Sequence, residues 1–300
     1  ILEIALASLK DVPQTDASYI PEPDQWRSNV SSCLWDDVVL HLHGPVSINR
    51  IIPFVDHASQ KANVKVDLLA SDDFKGKSTL DIIDDHGKVL TTGTQAVSGS
   101  HFGIDFNIPH TIKSWSPESP ILYRLKLSVY DRKGRLTDQR IMPFGLKNFN
   151  VRNKEFFLNG KPFILKGTTV AWHRWMRTEE GRELGYDTGW FAQNIIQRIK
   201  SLGGNYLRFH LGVPPERFLD LCDRYGLMVQ YEWSFFHGMP ASKESLLEQY
   251  RNWLDLAMRH PSVSLIHPYN ETGGDELKAF WATLDDLLVK YPPLVLADRD

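Results

Sequence analysis

Beyond Lys147 the hydrophobic pattern switches repeatedly between a period of two and a period near 3.6, and that switching is the strongest constraint on the fold. A short apolar run, Phe163-Ile164-Leu165, ends at Gly167. Phe191, Ile195, Ile199 and Leu202 then recur at helical spacing, behind a cap at Asp187 or Thr188, and Gly203-Gly204 stops the helix. Tyr206 to Phe209 reads as a strand, Phe218, Leu221, Cys222 and Tyr225 as a helix closed by Gly226, and Leu227 to Tyr231 as a third strand. A capping-box pattern, Ser245-Leu246-Leu247-Glu248, opens the next helix, with Tyr250, Trp253, Leu254, Ala257 and Met258 on its apolar face. Val263 to Ile266 is a fourth strand, Leu277 to Leu288 a fourth helix, and Leu294-Val295-Leu296 begins a fifth strand. Strands joined by short crossovers through helices must lie parallel. No glycine-rich phosphate loop follows the first strand, which argues against a doubly wound dinucleotide-binding sheet. A (β/α)8 TIM barrel remains. It needs about 250 residues, so residues 147–300 are read as its N-terminal half.

The first half reads differently. Val64, Val66 and Leu68 alternate with polar residues, as do Phe102, Ile104, Phe106 and Ile108, and Leu125, Leu127 and Val129. Asp85-His86-Gly87-Lys88 and Asp131-Arg132-Lys133-Gly134 lie between them as polar turns. Short half-buried strands at this spacing predict an antiparallel sandwich over residues 57–146. Residues 1–56 are read as the C-terminal part of an earlier β-rich unit. Ile1-Leu2-Glu3-Ile4 has neither the basic start nor the apolar core of a signal peptide and is read as the interior of a fold.

Composition narrows the function classes. A net charge of −3 does not suit an electrostatic nucleic-acid binder. No apolar run reaches the roughly 20 residues of a membrane span. The two cysteines, Cys33 and Cys222, make neither a disulfide scaffold nor a thiolate zinc site. His41 and His43 share a strand face, but no third metal ligand accompanies them. No cofactor or metal is expected. Nine Trp are many for 300 residues, and those from Trp172 onward fall in the half read as a barrel.

Barrels of this kind carry their working groups at the carboxyl ends of strands. Those ends read Lys166-Gly167-Thr168, Arg208-Phe209-His210, Glu232-Trp233 and Asn270-Glu271. Carboxylates for proton transfer, amide and guanidinium donors for hydroxyls, and indoles for a pyranose face form the set that sugar chemistry uses. Blander alternatives stand beside each. Glu271 could cap a helix, Asn270 could be a turn residue, Arg208 could be a buried structural cation paired with Glu232 or Glu271, and Trp233 could be core. His210 could satisfy a backbone carbonyl, and His173 and Arg174 could lie on a surface loop rather than line the pocket. Asn270-Glu271-Thr272 also matches a glycosylation sequon, as does Asn29-Val30-Ser31.

Several segments, in order, resemble glycoside hydrolase family 2. Leu34-Trp35-Asp36-Asp37-Val38 looks like the last strand of that family's jelly-roll sugar-binding domain. Trp115-Ser116-Pro117, Pro120 to Leu125 and Phe144-Gly145-Leu146-Lys147 look like the closing strands of its immunoglobulin-like β-sandwich domain. Phe157 to Pro162 followed by Leu165-Lys166-Gly167 resembles the entry to its barrel. Leu221 to Leu227 resembles the second helix running into the third strand, and Arg259 to Val263, ending in Asn270-Glu271, the acid/base strand. The resemblance implies a retaining glycosidase acting on a carbohydrate substrate. Glu271 would be its general acid/base, Asn270 the ligand of the sugar 2-hydroxyl, and Arg208 the support of the nucleophile. His173, Arg174, His210, Glu232 and Trp233 would line the substrate pocket. The family's nucleophile, a Glu ending the seventh strand, has no match in this chain, so the 300 residues alone are expected to be inactive. The chain departs from the family pattern at Lys147, at Thr168 to Arg174, and at His267-Pro268-Tyr269 before Asn270. A catalytically inactive carbohydrate-binding relative is the alternative. A metal-dependent barrel hydrolase would need paired His on the first strand, and Phe163 to Gly167 has none. Secretion or a periplasmic location follows by analogy only, and the residues leave oligomeric state open.

Overall fold

The computed structural model describes residues 3–4, 36–56, 60–171, 175, 178–233, 243–270 and 284–297. The chain forms two compact units. One comprises residues 39–163 with 258–261, the other residues 1–38, 164–257 and 262–300.

The first unit is a β-sandwich. Strands β1 (Ser47–Asp56), β2 (Lys61–Leu69) and β5 (His101–Asn107) form a sheet in the order β1-β2-β5. Strands β3 (Lys75–Ile83), β4 (Val89–Ser98), β6 (Tyr123–Asp131) and β7 (Leu136–Phe144) form a second, in the order β4-β3-β6-β7. All pairings within both sheets are antiparallel. The alternation in the sequence is the alternation in space: Val64, Val66, Ile104, Leu125, Leu127 and Val129 all face one shared core. A small meander follows, β8 (Phe149–Arg152), β9 (Glu155–Leu158) and β10 (Lys161–Phe163), paired in the order β10-β9-β8.

Both expected boundaries move. Residues 47–56 do not belong to an earlier unit, because β1 pairs along its length with β2 and Ile48 N donates to Asp138 Oδ2 of β7 at 2.7 Å. The second boundary lies near residue 163 rather than 146, because β8 to β10 form an antiparallel meander within the sandwich unit.

The second unit is built on a parallel sheet. Its strands β11 (Gly167–Val170), β12 (Tyr206–Phe209), β13 (Met228–Glu232), β14 (Val263–His267) and β15 (Val295–Leu296) lie in strictly sequential order. Helix α1 (Glu179–Leu184) is capped by the Thr178 hydroxyl. Helix α2 runs on from Thr188–Phe191 through a π-helical turn, Ala192–Gln197, to Arg198–Ser201, and Asp187 caps it by accepting from Trp190 N at 2.7 Å. Helix α3 (Glu216–Tyr225) ends at Gly226, whose φ of 72° is the left-handed value that suits glycine. Helix α4 spans Lys243–Arg259. It opens before the expected capping box, so Ser245 lies within its first turn. The outer faces of β12 and β13 are apolar: Phe191 of α2 packs on Phe209 and Phe218, and Tyr231 stacks on Trp253 of α4.

The first parallel strand is displaced from its expected place. Phe163 belongs to β10, Ile164 is 71% exposed, and the strand begins only at Gly167. Its residues Thr168, Thr169 and Val170 suit a strand through β-branching rather than apolarity. Lys166-Gly167-Thr168 is therefore the start of the strand, whose carboxyl end is at Val170.

Candidate active site

Alternate residues of parallel strands share a face, and here the shared inner face is polar. Tyr206 and Arg208 on β12, Gln230 and Glu232 on β13, and His267 on β14 follow this two-residue step, with Glu232 in register with His267. Their neighbours Leu207, Phe209, Val229, Tyr231 and Ile266 are buried on the opposite face. The register therefore gathers the ionisable groups without any long-range coincidence.

Glu232 is the hub. Its side chain has no exposed surface. Oε2 accepts from Arg208 Nε at 2.6 Å, and Arg208 Nη2 also lies 2.6 Å from it. Oε1 lies 2.9 Å from His210 Nδ1 and accepts from the backbone N–H of Leu211 at 2.9 Å. His267 Nδ1 sits 3.4 Å from Oε2 and 3.2 Å from Gln230 Nε2, and Gln230 in turn accepts from the Tyr206 hydroxyl. Burial alone would raise the Glu232 pKa. Hydrogen bonds from His210 and His267, with the Arg208 charge, overcome it and hold the carboxyl down at about 2. Burial pushes the Tyr206 phenol up to about 12, against the nearby Arg208 charge and with that of Glu232.

Arg208 links this hub to the end of β14, because its Nη2 donates to Asn270 Oδ1 at 2.9 Å. Its Nη1 has no hydrogen-bond partner among the described residues. Leu211, just past β12, adopts φ 55°, a left-handed conformation that is costly for a branched side chain. That turn aims its N–H at Glu232.

Of the residues singled out in the sequence, the structure brings Arg208, His210, Glu232 and Asn270 into one network. Glu232 differs from the expectation that it lines the substrate pocket: its side chain has no exposed surface, because Arg208 Nε and Nη2, His210 and the Leu211 N–H occupy its two oxygens, with His267 3.4 Å away. Trp233 is half-buried beside Tyr250 and Trp253, with ring centroids 6.0 and 5.9 Å away, and its backbone N–H donates to His267 O. Glu271, His173 and Arg174 lie outside the described residues. Sequence reasoning missed Gln230 and His267 as members of the network, although the polar step Gln230–Glu232 within an apolar strand was their signal. It also missed Leu211, which nothing in its side chain announces, and the stacked pair Trp175–Trp190, 4.6 Å apart, which follows β11.

Comparison with known proteins places this geometry in context. Residues 46–147 match the family described as glycosyl hydrolases family 2. The chain is 26% identical over 227 residues to the beta-galactosidase large subunit of Latilactobacillus sakei, covering 74% of this chain and 32% of that protein. It is 27% identical over 286 residues to a beta-galactosidase of Aeromonas hydrophila, covering 86% of this chain and 26% of that one. Among solved structures, a family 2 beta-galacturonidase from Eisenbergiella tayi bound to galacturonate superposes with a TM-score of 0.69 at 20% identity, over 84% of this chain and 46% of that chain. A beta-glucuronidase from Parabacteroides merdae gives 0.62 at 20% identity, over 82% and 33%. At that identity the likeness is one of fold. The chain spans about a quarter to a third of the length of these curated relatives.

Proposed function

From the match of residues 46–147 to the glycosyl hydrolases family 2, we propose that the protein carrying this chain is a retaining glycosidase of that family acting on β-linked hexosides or hexuronides. In this reading the sandwich is the family's immunoglobulin-like domain, and the sequential parallel sheet is the first five strands of its (β/α)8 barrel. A doubly wound sheet reverses its strand order at a switch point, whereas β11 to β15 run in order without reversal, as barrel staves do.

Glu271 is the general acid/base. Its carboxyl gives a proton to the glycosidic oxygen as the C–O bond breaks, and its carboxylate later takes one from the water that releases the sugar. The other carboxylate of the pair comes from a later strand than the five described. Asn270, next to Glu271 in the chain, binds the sugar 2-hydroxyl, and Arg208 steadies the nucleophile. His173, Arg174, His210 and Trp233 complete the pocket in this reading. One observation carries the reading: the Arg208–Asn270 hydrogen bond ties the ends of β12 and β14 together beside the proposed acid/base position.

The test is hydrolysis by the full-length protein of aryl β-galactosides, β-glucuronides and β-galacturonides. Glu271→Ala should lower kcat by about 10²–10⁴-fold on substrates that need leaving-group protonation. Azide should restore turnover of an activated aryl glycoside as the glycosyl azide. A Glu271→Ala variant with wild-type kcat would remove the assignment.

A further inference from the structure

We infer that Glu232 is a positioning residue of this site: it fixes the plane of the Arg208 guanidinium and, through Arg208, the amide of Asn270, while holding Leu211 in its left-handed turn. This rests on the roles proposed above for Arg208 and Asn270 and deepens them.

An ionised carboxylate offers about four lone-pair directions. Here Arg208 takes two contacts at Oε2, and His210 and the Leu211 N–H take Oε1. Glu232 has no exposed surface and no acceptor direction left for a sugar hydroxyl. Its effect on a substrate must therefore pass through its partners.

Arg208 transmits it. The guanidinium is planar, so fixing Nε and Nη2 on Oε2 fixes the direction of all five N–H bonds. One Nη2 hydrogen is thereby aimed at Asn270 Oδ1 and orients that amide. Nη1, without a partner among the described residues, is aimed by the same plane. Without Glu232, Arg208 would keep only its Nη2 contacts, to Asn270 Oδ1 at 2.9 Å and to His267 Nδ1 at 3.4 Å, and rotation about its χ4 would cost the donor set its alignment.

Leu211 is the second output. A leucine at φ 55° sits where its Cβ crowds the backbone, a region that L side chains disfavour, and the N–H bond to Glu232 is the interaction that holds it. The chain leaving β12 toward Gly212 takes its direction there. His210, which precedes Leu211, is bound to the same oxygen. Glu232 thus sets both the side chain that ends β12 and the loop that follows it.

Glu232→Gln separates positioning from bulk structure. A glutamine keeps the shape but has one acceptor oxygen, and its NH2 must face either Arg208 or the His210–Leu211 pair. In the full-length protein, kcat should fall about 10²-fold through misplacement of Arg208, with KM changed less than about fivefold and the far-ultraviolet circular dichroism unchanged. Arg208→Lys should cause a loss of similar size, and the double variant should be no slower than the slower single variant, since both break one device. Multiplying losses would overturn the inference, as would wild-type kcat in Glu232→Gln. If Glu232→Gln does not fold, the wild type still decides. Its Arg208 Nε–H proton, assigned by its absence in Arg208→Lys, should resonate downfield and exchange slowly at pH 7, and a freely exchanging proton would overturn the inference. Glu271→Ala run alongside keeps the two readings apart. Loss there with full activity in Glu232→Gln removes only the positioning role, whereas full activity in Glu271→Ala removes the catalytic assignment and leaves the Nε–H signal to judge the clamp.

Discussion

Arg208, His210, Glu232 and Asn270 stand out in sequence because each ends a short apolar strand. A polar residue there faces either solvent or a partner on the next strand, and the choice depends on register. Glu232 is buried because β14 brings His267 opposite it and β12 brings Arg208 beside it. No count of apolar residues along β13 reveals those neighbours. Burying the charge has a consequence for acid stability. The Glu232 pKa in the folded state is depressed from its ordinary value of 4.5 to about 2, so the folded state binds fewer protons than the unfolded chain between those values. The stabilisation is present in full above about pH 4.5 and is lost as pH falls toward 2. It is on the order of 3 kcal/mol at pH 7, since each tenfold difference in proton affinity between the folded and unfolded chain corresponds to about 1.4 kcal/mol. Urea unfolding of wild type and Glu232→Gln at about pH 7, 4 and 2.5 should show the gap between them narrowing below the ordinary carboxylate range. A gap independent of pH would mean that the carboxylate is not held ionised.

At the scale of elements, sequence placed α2 and α3 well, passed over α1 and misplaced the first parallel strand, and residues 277–283 of the expected fourth helix lie outside the described residues. Asp187 and Gly226 mark the start of α2 and the end of α3 through side-chain and backbone chemistry that is local and therefore readable. The first parallel strand carries no apolar run, because its inner residues Gly167 and Thr169 face the polar side of the sheet. The cap of α3 was unreadable for a different reason. Pro215 stands at its N-cap with no capping side chain, and the missing acceptor comes from far away: Asp36 Oδ2 accepts from Glu216 N at 3.0 Å, while Arg217 pairs with Asp37 at 2.9 Å. A carboxylate at a helix start both accepts an orphan N–H and meets the positive end of the dipole. Asp36→Ala should therefore lower unfolding free energy by about 0.5–2 kcal/mol, with Asp36→Asn recovering most of it. Denaturant midpoints for the two variants check this, and equal losses would show that charge rather than capping matters.

At the scale of the whole chain, the division between β-sandwich and parallel sheet was legible from the change of period, while the edges of the division were not. Strand β1 escapes notice because Ile51-Ile52-Pro53-Phe54 breaks the two-residue alternation, and Pro53 is admissible because β1 is an edge strand with a partner on one side only. Each unit nevertheless closes its own apolar core, one around residues such as Leu127 and Val64, the other around Phe191, Phe209 and Phe218. Two cores imply two cooperative transitions rather than one. Calorimetry of the 300-residue chain should give a measured enthalpy larger than the van't Hoff value. Substitutions should then sort by unit. Leu127→Ala removes a fully buried side chain from the sandwich and should cost about 2–5 kcal/mol there. Gly167→Ala acts in the parallel sheet, since a Cβ at Gly167 would meet the Tyr206 carbonyl oxygen at 1.8 Å and force β11 away from β12; overpacking of this kind costs about 1–3 kcal/mol or more. Each variant should lower the midpoint of one transition, by several degrees or on the order of 10 °C, and leave the other where it was. If both variants shift one common transition by their respective amounts, the two cores fold as a single cooperative body.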